Sequence, residues 1–163
     1  MVGDGHYFFR RGGFGMIEIA LAAALAIVLA IIIAPSFLGR RSSMELDGAS
    51  GQIAALLREA QSRSAAGDRG SSWGVHFENT TATRPFYALF RGVYGTSTVA
   101  GLYSLPSAVG FSTSTLGSGS STEIVFARIS GLPSASFKIS MFLLSDSRRS
   151  STVRVATSGA VSY

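Results

Sequence analysis

The longest apolar run in the chain extends from Phe14 to Pro35 and contains one charged residue, Glu18. As an α-helix, the part from Phe14 to Ala34 would be roughly 31 Å long, close to the thickness of the hydrocarbon core of a bilayer. A helix at the surface of a soluble domain need not be apolar on every face. The run therefore predicts a helix that lies in lipid or in an apolar bundle formed with other chains.

A second helical pattern extends from about Ser50 to Ala66, where apolar residues recur on one face and polar residues occupy the others. This pattern predicts the amphipathic lower half of one long helix packed against a sheet. Pro35 is expected to kink that helix or to open one backbone hydrogen bond, and Gly48 and Gly51 would permit a break between its halves. The apolar stripe consists of Ile53, Leu56, Leu57 and Ala60.

After a predicted loop at Ser64 to Ser72, the pattern changes to the two-residue period of half-buried strands. Trp73 to Glu78 is the first such strand, and Phe86 to Phe90 is expected to return beside it after a turn at Asn79 to Pro85. Asp146 to Ser151 is expected to be a hairpin tip. Further strands are predicted at Val99–Tyr103, Val109–Ser112, Glu123–Ile129, Phe137–Leu144 and Thr152–Ala156.

One N-terminal helix followed by an antiparallel sheet is an α+β layout. The 163 residues suffice for one domain. The formal net charge is +5, but only 14% of the residues are charged and the arginines are scattered, so the basicity follows mainly from the small number of acids. The chain has no cysteine, which excludes disulfides and thiol chemistry.

Catalytic and ligand-binding patterns are not found in the sequence. His6 and His76 have no Ser, Asp or metal-ligand neighbour at a recognisable spacing, and His76 is predicted to be an ordinary surface residue on the polar side of a strand. The Gly/Ser stretch at 117–121 is not followed by GK[ST] and so is not a phosphate loop. We therefore expect neither an enzyme nor a bound cofactor or metal.

The residues before the apolar run carry a resemblance to a known family. Arg10, Arg11, Gly12 and Gly13 precede Phe14, and Glu18 is the fifth residue counted from Phe14. This order, followed by an apolar helix with a proline at Pro35, resembles the type IV pilin superfamily, which includes the pseudopilins of type II secretion. Gly15-Met16 stands where family members commonly have Thr-Leu.

The resemblance implies that residues 1–13 are a leader that a prepilin peptidase removes after Gly13, and that the new N-terminal Phe14 is N-methylated. Residues 14–66 would then be the long helix, with 14–38 in the membrane or filament core and about 50–66 amphipathic, and 67–163 the β-rich head. Glu18 would pair with the Phe14 ammonium of a neighbouring subunit. A cytoplasmic ATPase and an assembly platform would act on the filament from outside this chain.

The same resemblance places the leader in the cytoplasm, the helix in the inner membrane before assembly, and the head outside in a periplasmic or extracellular filament. The order of elements after the helix looks like the H-type minor pseudopilins and the FimT-like minor pilins. Some relatives of that group are associated with DNA uptake, so Arg148, Arg149 and Arg154 are candidates for phosphate contacts. A solvated basic turn is the alternative for these arginines.

Two other interpretations of the N-terminus stay open. A secretory signal peptide would require a small residue three positions before a cut at Pro35, where bulky Ile32 stands. A plain membrane anchor would show no leader cleavage. Charge does not decide its topology, because Arg10-Arg11 and Arg40-Arg41 lie on both sides of the run.

Overall fold

The computed structural model describes the backbone of residues 15–163 and the side chains of residues 15–30 and 42–163. The leader and the predicted cleavage site at Gly13 and Phe14 lie outside the described residues, as does the side chain of Pro35. The chain divides into two compact units, Met1–Gly39 and Arg40–Tyr163. The core described below belongs to the second unit.

Helix α1 spans Met16–Ala65. Its helical backbone continues through Gly48 and Gly51, so the break that these residues would permit does not occur. A glycine inside a helix costs up to about 1 kcal/mol relative to alanine, which the burial of Leu46 and Ala49 on either side of Gly48 offsets. The predicted apolar stripe is confirmed, since all four of its residues are buried: Ile53, Leu56, Leu57 and Ala60.

After α1 and a single 3-10 turn at Asp68–Gly70, the rest of the chain forms short strands. They are β1 Trp73–Glu78, β2 Phe86–Arg91, β3 Val99–Ser104, β4 Val109–Phe111, β5 Ser121–Phe126, β6 Phe137–Leu143, β7 Asp146–Val155 and β8 Val161–Ser162. The α+β layout is confirmed. The strands form two four-stranded antiparallel sheets, ordered β3-β2-β1-β5 and β4-β6-β7-β8.

Both sheets and the Arg40–Ala65 part of α1 share one hydrophobic core. Phe77 on β1 shows how the two sheets meet, because its ring contacts Phe111 of β4 edge-on and stacks with Phe137 of β6, at centroid distances of 6.1 and 5.2 Å. Such aromatic pairs add about 0.5–1.5 kcal/mol beyond the area they bury. The inner faces of the two sheets are therefore fixed against each other through this core, and their outer faces point away from it.

Most strand boundaries lie within two residues of the sequence prediction, and two of them differ by three residues or more. β5 ends at Phe126, and the chain turns at Ile129, which has a φ of 74°. The hairpin between β6 and β7 turns at Leu144-Ser145, and Asp146 already belongs to β7. The predicted hairpin tip at 146–151 was wrong because both ends of this polar segment pair with β6. Asp146 lies opposite Leu143, Ser150 and Ser151 lie opposite Phe142 and Met141, and residues 147–149 lie at a register shift between them.

Strand β1 is buried on both faces, whereas its alternating pattern predicted a half-buried strand. Trp73, Val75 and Phe77 face the core. On the other face, the loop between β2 and β3 brings Tyr94 over His76 and the edge of Phe90. The prediction failed because this cover comes from a distant loop rather than from the strand's own neighbours.

Candidate functional site

The apolar arm of α1 is the first candidate site. From Met16 to residue 30 every described side chain is exposed, including Met16 and Ile17, which are 92% and 84% exposed. An exposed apolar surface of this extent normally marks an interaction site. Among the described residues, no helical segment combines the length and the hydropathy needed to cross a membrane.

Glu18 lies in the first turn of α1, where its backbone N–H donates to the carbonyl of Gly15 at 3.0 Å. A carboxylate near a helix N-terminus interacts favourably with the helix dipole, by about 0.3–1 kcal/mol when exposed. Glu18 is also the only charged residue on the described part of the apolar arm. Its position makes it available to a cation from outside the chain, and the expected pairing with Phe14 of another subunit stays a prediction.

The three candidate arginines do not form one cluster. Arg148 and Arg149 lie in an irregular stretch of β7, where the pairing with β6 jumps from Ser150 to Asp146. Arg149 is already engaged, since its Nε lies 3.6 Å from Asp146 Oδ2 and its Nη1 donates to the hydroxyl of Ser43. Arg154 is four residues beyond Ser150, about 13 Å along the strand.

Arg154 has a partner that the sequence did not suggest. It lies directly opposite Lys138 of β6, and both side chains are exposed on the outer face of the second sheet. In the part of the chain that the structure describes, neither cation has a carboxylate within 4 Å. We call Lys138 and Arg154 the basic pair. Their proximity follows from the β6–β7 register, which the sequence alone does not reveal.

The outer face of the first sheet carries two carboxylates on either side of a buried histidine. His76 Nε2 lies 3.7 Å from Glu78 Oε2, and His76 Nδ1 lies 3.7 Å from Glu123 Oε2. The His76 side chain is 9% exposed, and neither ring nitrogen has a hydrogen-bond partner among the described residues. The prediction that His76 is a surface residue was therefore wrong. We call His76, Glu78 and Glu123 the acidic cluster.

Register explains how the acidic cluster is assembled. Glu123 of β5 lies directly opposite His76 of β1, and Glu78 lies two residues further along β1 on the same face. Tyr94 covers the cluster, its ring stacked on the imidazole at 3.6 Å between centroids. Burial, and to a lesser extent the Glu78 carboxylate, raises the pKa of the Tyr94 hydroxyl. No spacing in the sequence links Glu123 to His76, so only the sheet could reveal it.

The sequence matches no protein-family model and no curated protein. The structure is similar to the crystal structure of the type IV minor pilin FimU from Pseudomonas aeruginosa strain PAO1, with a TM-score of 0.50 and 12% sequence identity. The similarity covers 77% of this chain and 90% of the FimU chain. At this identity the comparison establishes a pilin-like α+β fold.

Proposed function

We propose that the chain is a subunit of a type IV pilus or of a type II secretion pseudopilus, and a minor component of that filament. The exposed apolar arm of α1, with a single carboxylate in its first turn, is the observation that carries the proposal. Such a surface requires lipid or other apolar helices around it. The pilin-like fold and the residues Gly13, Phe14 and Glu18 support that use.

In the proposed mechanism a prepilin peptidase cuts after Gly13, and Phe14 becomes the methylated N-terminus. The arm lies in the inner membrane until assembly and then enters the filament core, with the head in the periplasm or outside the cell. An unpaired charge is costly in an apolar core. Glu18 therefore selects a register in which it meets the Phe14 ammonium of a neighbouring subunit.

The chain's role in this mechanism is structural rather than enzymatic. An ATPase and a platform protein supply the work and the assembly site. The order of elements in the head supports assignment to the H-type minor pseudopilins and FimT-like minor pilins within the superfamily. A main structural pilin is the alternative, and the number of copies per filament separates the two.

The N-terminus of the mature protein tests the proposal. Intact mass and terminal sequencing of chain recovered from sheared filaments should show Phe14 as the first residue, carrying one added methyl group. A mature chain that still carries residues 1–13 would instead identify an ordinary membrane anchor. A start after Ala34 would identify a secretory signal peptide.

A second candidate function is DNA binding during uptake, which the basic pair favours. Like charges directly opposite each other on a sheet destabilise it, and a phosphate bridging Lys138 and Arg154 would remove that repulsion. The fragment from Ser42 to the C-terminus should then bind duplex DNA with an affinity that falls steeply as salt increases. Binding that is absent at low salt would dismiss this function without affecting the first.

A further inference from the structure

Apart from His76 itself, no basic side chain of the described residues lies within 4 Å of the two carboxylates of the acidic cluster. The 3.7 Å separations between His76 and the carboxylates of Glu78 and Glu123 exceed the length of a hydrogen bond. Arg84 lies in the loop between β1 and β2, six residues after Glu78, yet Arg84 and Glu78 form no ion pair in the described structure. The two glutamate side chains are 37% and 48% exposed, so their carboxylates are accessible.

His76 is the second sign that the cluster is unfinished. Its ring is nine-tenths buried, lies between the two carboxylates, and leaves both nitrogens without a hydrogen-bond partner in the described chain. A buried polar group without a hydrogen-bond partner destabilises the folded chain. A cation that binds the two exposed carboxylates beside this ring would balance their negative charge.

The basic pair has the opposite charge and lacks an acidic partner among the described residues. Lys138 and Arg154 place two positive charges side by side, and the pocket of about 450 Å³ beside them is lined by Ser136, Phe137 and Ser162 among others. Cβ atoms of directly opposed strand residues are about 4.5–5.5 Å apart, and diagonal neighbours such as Glu78 and Glu123 about 7–8 Å. Flexible lysine and arginine side chains can span that difference.

The two surfaces cannot satisfy each other within one molecule. The acidic cluster lies on the outer face of the first sheet and the basic pair on the outer face of the second, with the shared core between them. We propose that the acidic cluster of one copy receives the basic pair of the next copy. The proposal rests on the filament function above and adds a contact between heads to the contact between helices.

This contact is heterologous, because it joins two different surfaces of the same chain. Repetition of a heterologous contact builds rings or open helical assemblies, whereas an isologous contact stops at a dimer. The head contact therefore has the symmetry that a filament needs. It requires at least two adjacent copies, which a short run of a minor component would also supply.

Cross-linking of the full-length chain in its filament tests the contact, because this chain has no cysteine of its own that would react. The double variant Glu123→Cys/Arg154→Cys, treated with a short bifunctional maleimide, should give a ladder of dimers, trimers and longer products. Each single variant alone should stay monomeric, and filaments that contain both single variants should give dimers only. The exposed pair Ala66→Cys/Thr113→Cys is the matched control and should give no ladder.

A double variant that enters filaments but stays monomeric, or that cross-links only to a different protein, would overturn the head contact and leave the filament function intact. Single variants that cross-link to themselves would also overturn it, since they would indicate an isologous contact. A wild-type chain that is neither cleaved nor found in filaments would overturn both proposals.

Exchanging the charges of Glu123 and Arg154 gives a second, independent test by the same cross-linking method. In the cross-linkable pair Glu78→Cys/Lys138→Cys, the added change Glu123→Lys should reduce the ladder at least several-fold, and the further change Arg154→Glu should restore it. Restoration would not occur if the first change acted only by unfolding the head. Equal ladders in all three variants would exclude pairing between the two surfaces.

Discussion

The hydroxyl of Ser64, in the last turn of α1, accepts a hydrogen bond at 2.8 Å from the backbone N–H of Trp73, the first residue of β1. Ser64 is fully buried, and its carbonyl accepts a further bond at 2.8 Å from the N–H of Ile129. This one residue therefore connects the end of the helix to the first strand and to the turn that follows β5.

Replacing Ser64 with alanine should lower the free energy of unfolding of the 42–163 fragment by about 1–3 kcal/mol, because the Trp73 N–H would be buried without an acceptor. Urea unfolding followed by Trp73 fluorescence measures this. Ser62→Ala, at an exposed position in the same turn, is the control and should change stability by less than about 0.5 kcal/mol. Equal effects of the two variants would contradict the role of Ser64.

Position 74 requires glycine because neighbouring atoms leave no room for a Cβ, and not because of its backbone angles. A Cβ at this position would lie 2.6 Å from the Ile124 carbonyl oxygen and 2.7 Å from Cζ of Phe90, its cross-strand partner. Gly74→Ala should therefore destabilise the fragment by about 1–3 kcal/mol or more through overpacking. Gly48→Ala, where nothing lies within 4 Å, should instead stabilise it by about 0.5–1 kcal/mol. Thermal unfolding of both variants distinguishes these opposite signs.

The hydroxyl of Tyr87 is buried without a hydrogen-bond partner among the described residues. Tyr87→Phe should therefore leave stability unchanged or raise it by up to about 1 kcal/mol, because the phenylalanine ring keeps the packing and removes a polar group. The partly exposed Tyr103 provides the control variant, Tyr103→Phe, for which no gain is expected. A loss above 1 kcal/mol for Tyr87→Phe would show that the hydroxyl is satisfied.

Burial, with a smaller contribution from Tyr103, raises the pKa of Tyr87 to about 12. This folded-state pKa lies above the ordinary value of 10, so the unfolded chain loses the Tyr87 proton at lower pH than the folded chain does. The free energy of unfolding is therefore unaffected by this group below pH 10 and falls as the pH rises from 10 through about 12. The free energy of unfolding, measured with urea at several pH values from 10 to 12, should therefore fall less steeply with pH for Tyr87→Phe than for the parent fragment. Identical curves across this window would contradict the assignment.

Glu18→Ala should leave leader cleavage largely intact and block incorporation into filaments, because the Phe14 ammonium would have no partner in an apolar core. Cleavage appears as a shift on a gel, and incorporation as chain in the sheared fraction. Replacing Gly13 with a bulky residue is the complementary variant and should leave the unshifted precursor. Normal incorporation of Glu18→Ala would remove the pairing from the mechanism.

The sequence determined the features of this protein that depend on local pattern. The apolar run, the buried stripe at Ile53 to Ala60, the limits of β1 and the start of β2 followed from residue periodicity, because helical and extended backbones place side chains at fixed intervals. The order Gly13-Phe14 and Glu18 likewise carried the functional hypothesis without any tertiary information.

Tertiary structure decided the features that depend on which distant segments meet. The cover of His76 by Tyr94, the placement of Glu123 beside it, and the opposition of Lys138 and Arg154 arise from strand register and loop packing. The pairing of Asp146, Ser150 and Ser151 with β6 is of the same kind, because polar residues that pattern alone assigns to a turn are held in the sheet by the partner strand. Residue pattern encodes which face of an element is apolar, whereas charge complementarity between surfaces exists only after the elements have been brought together.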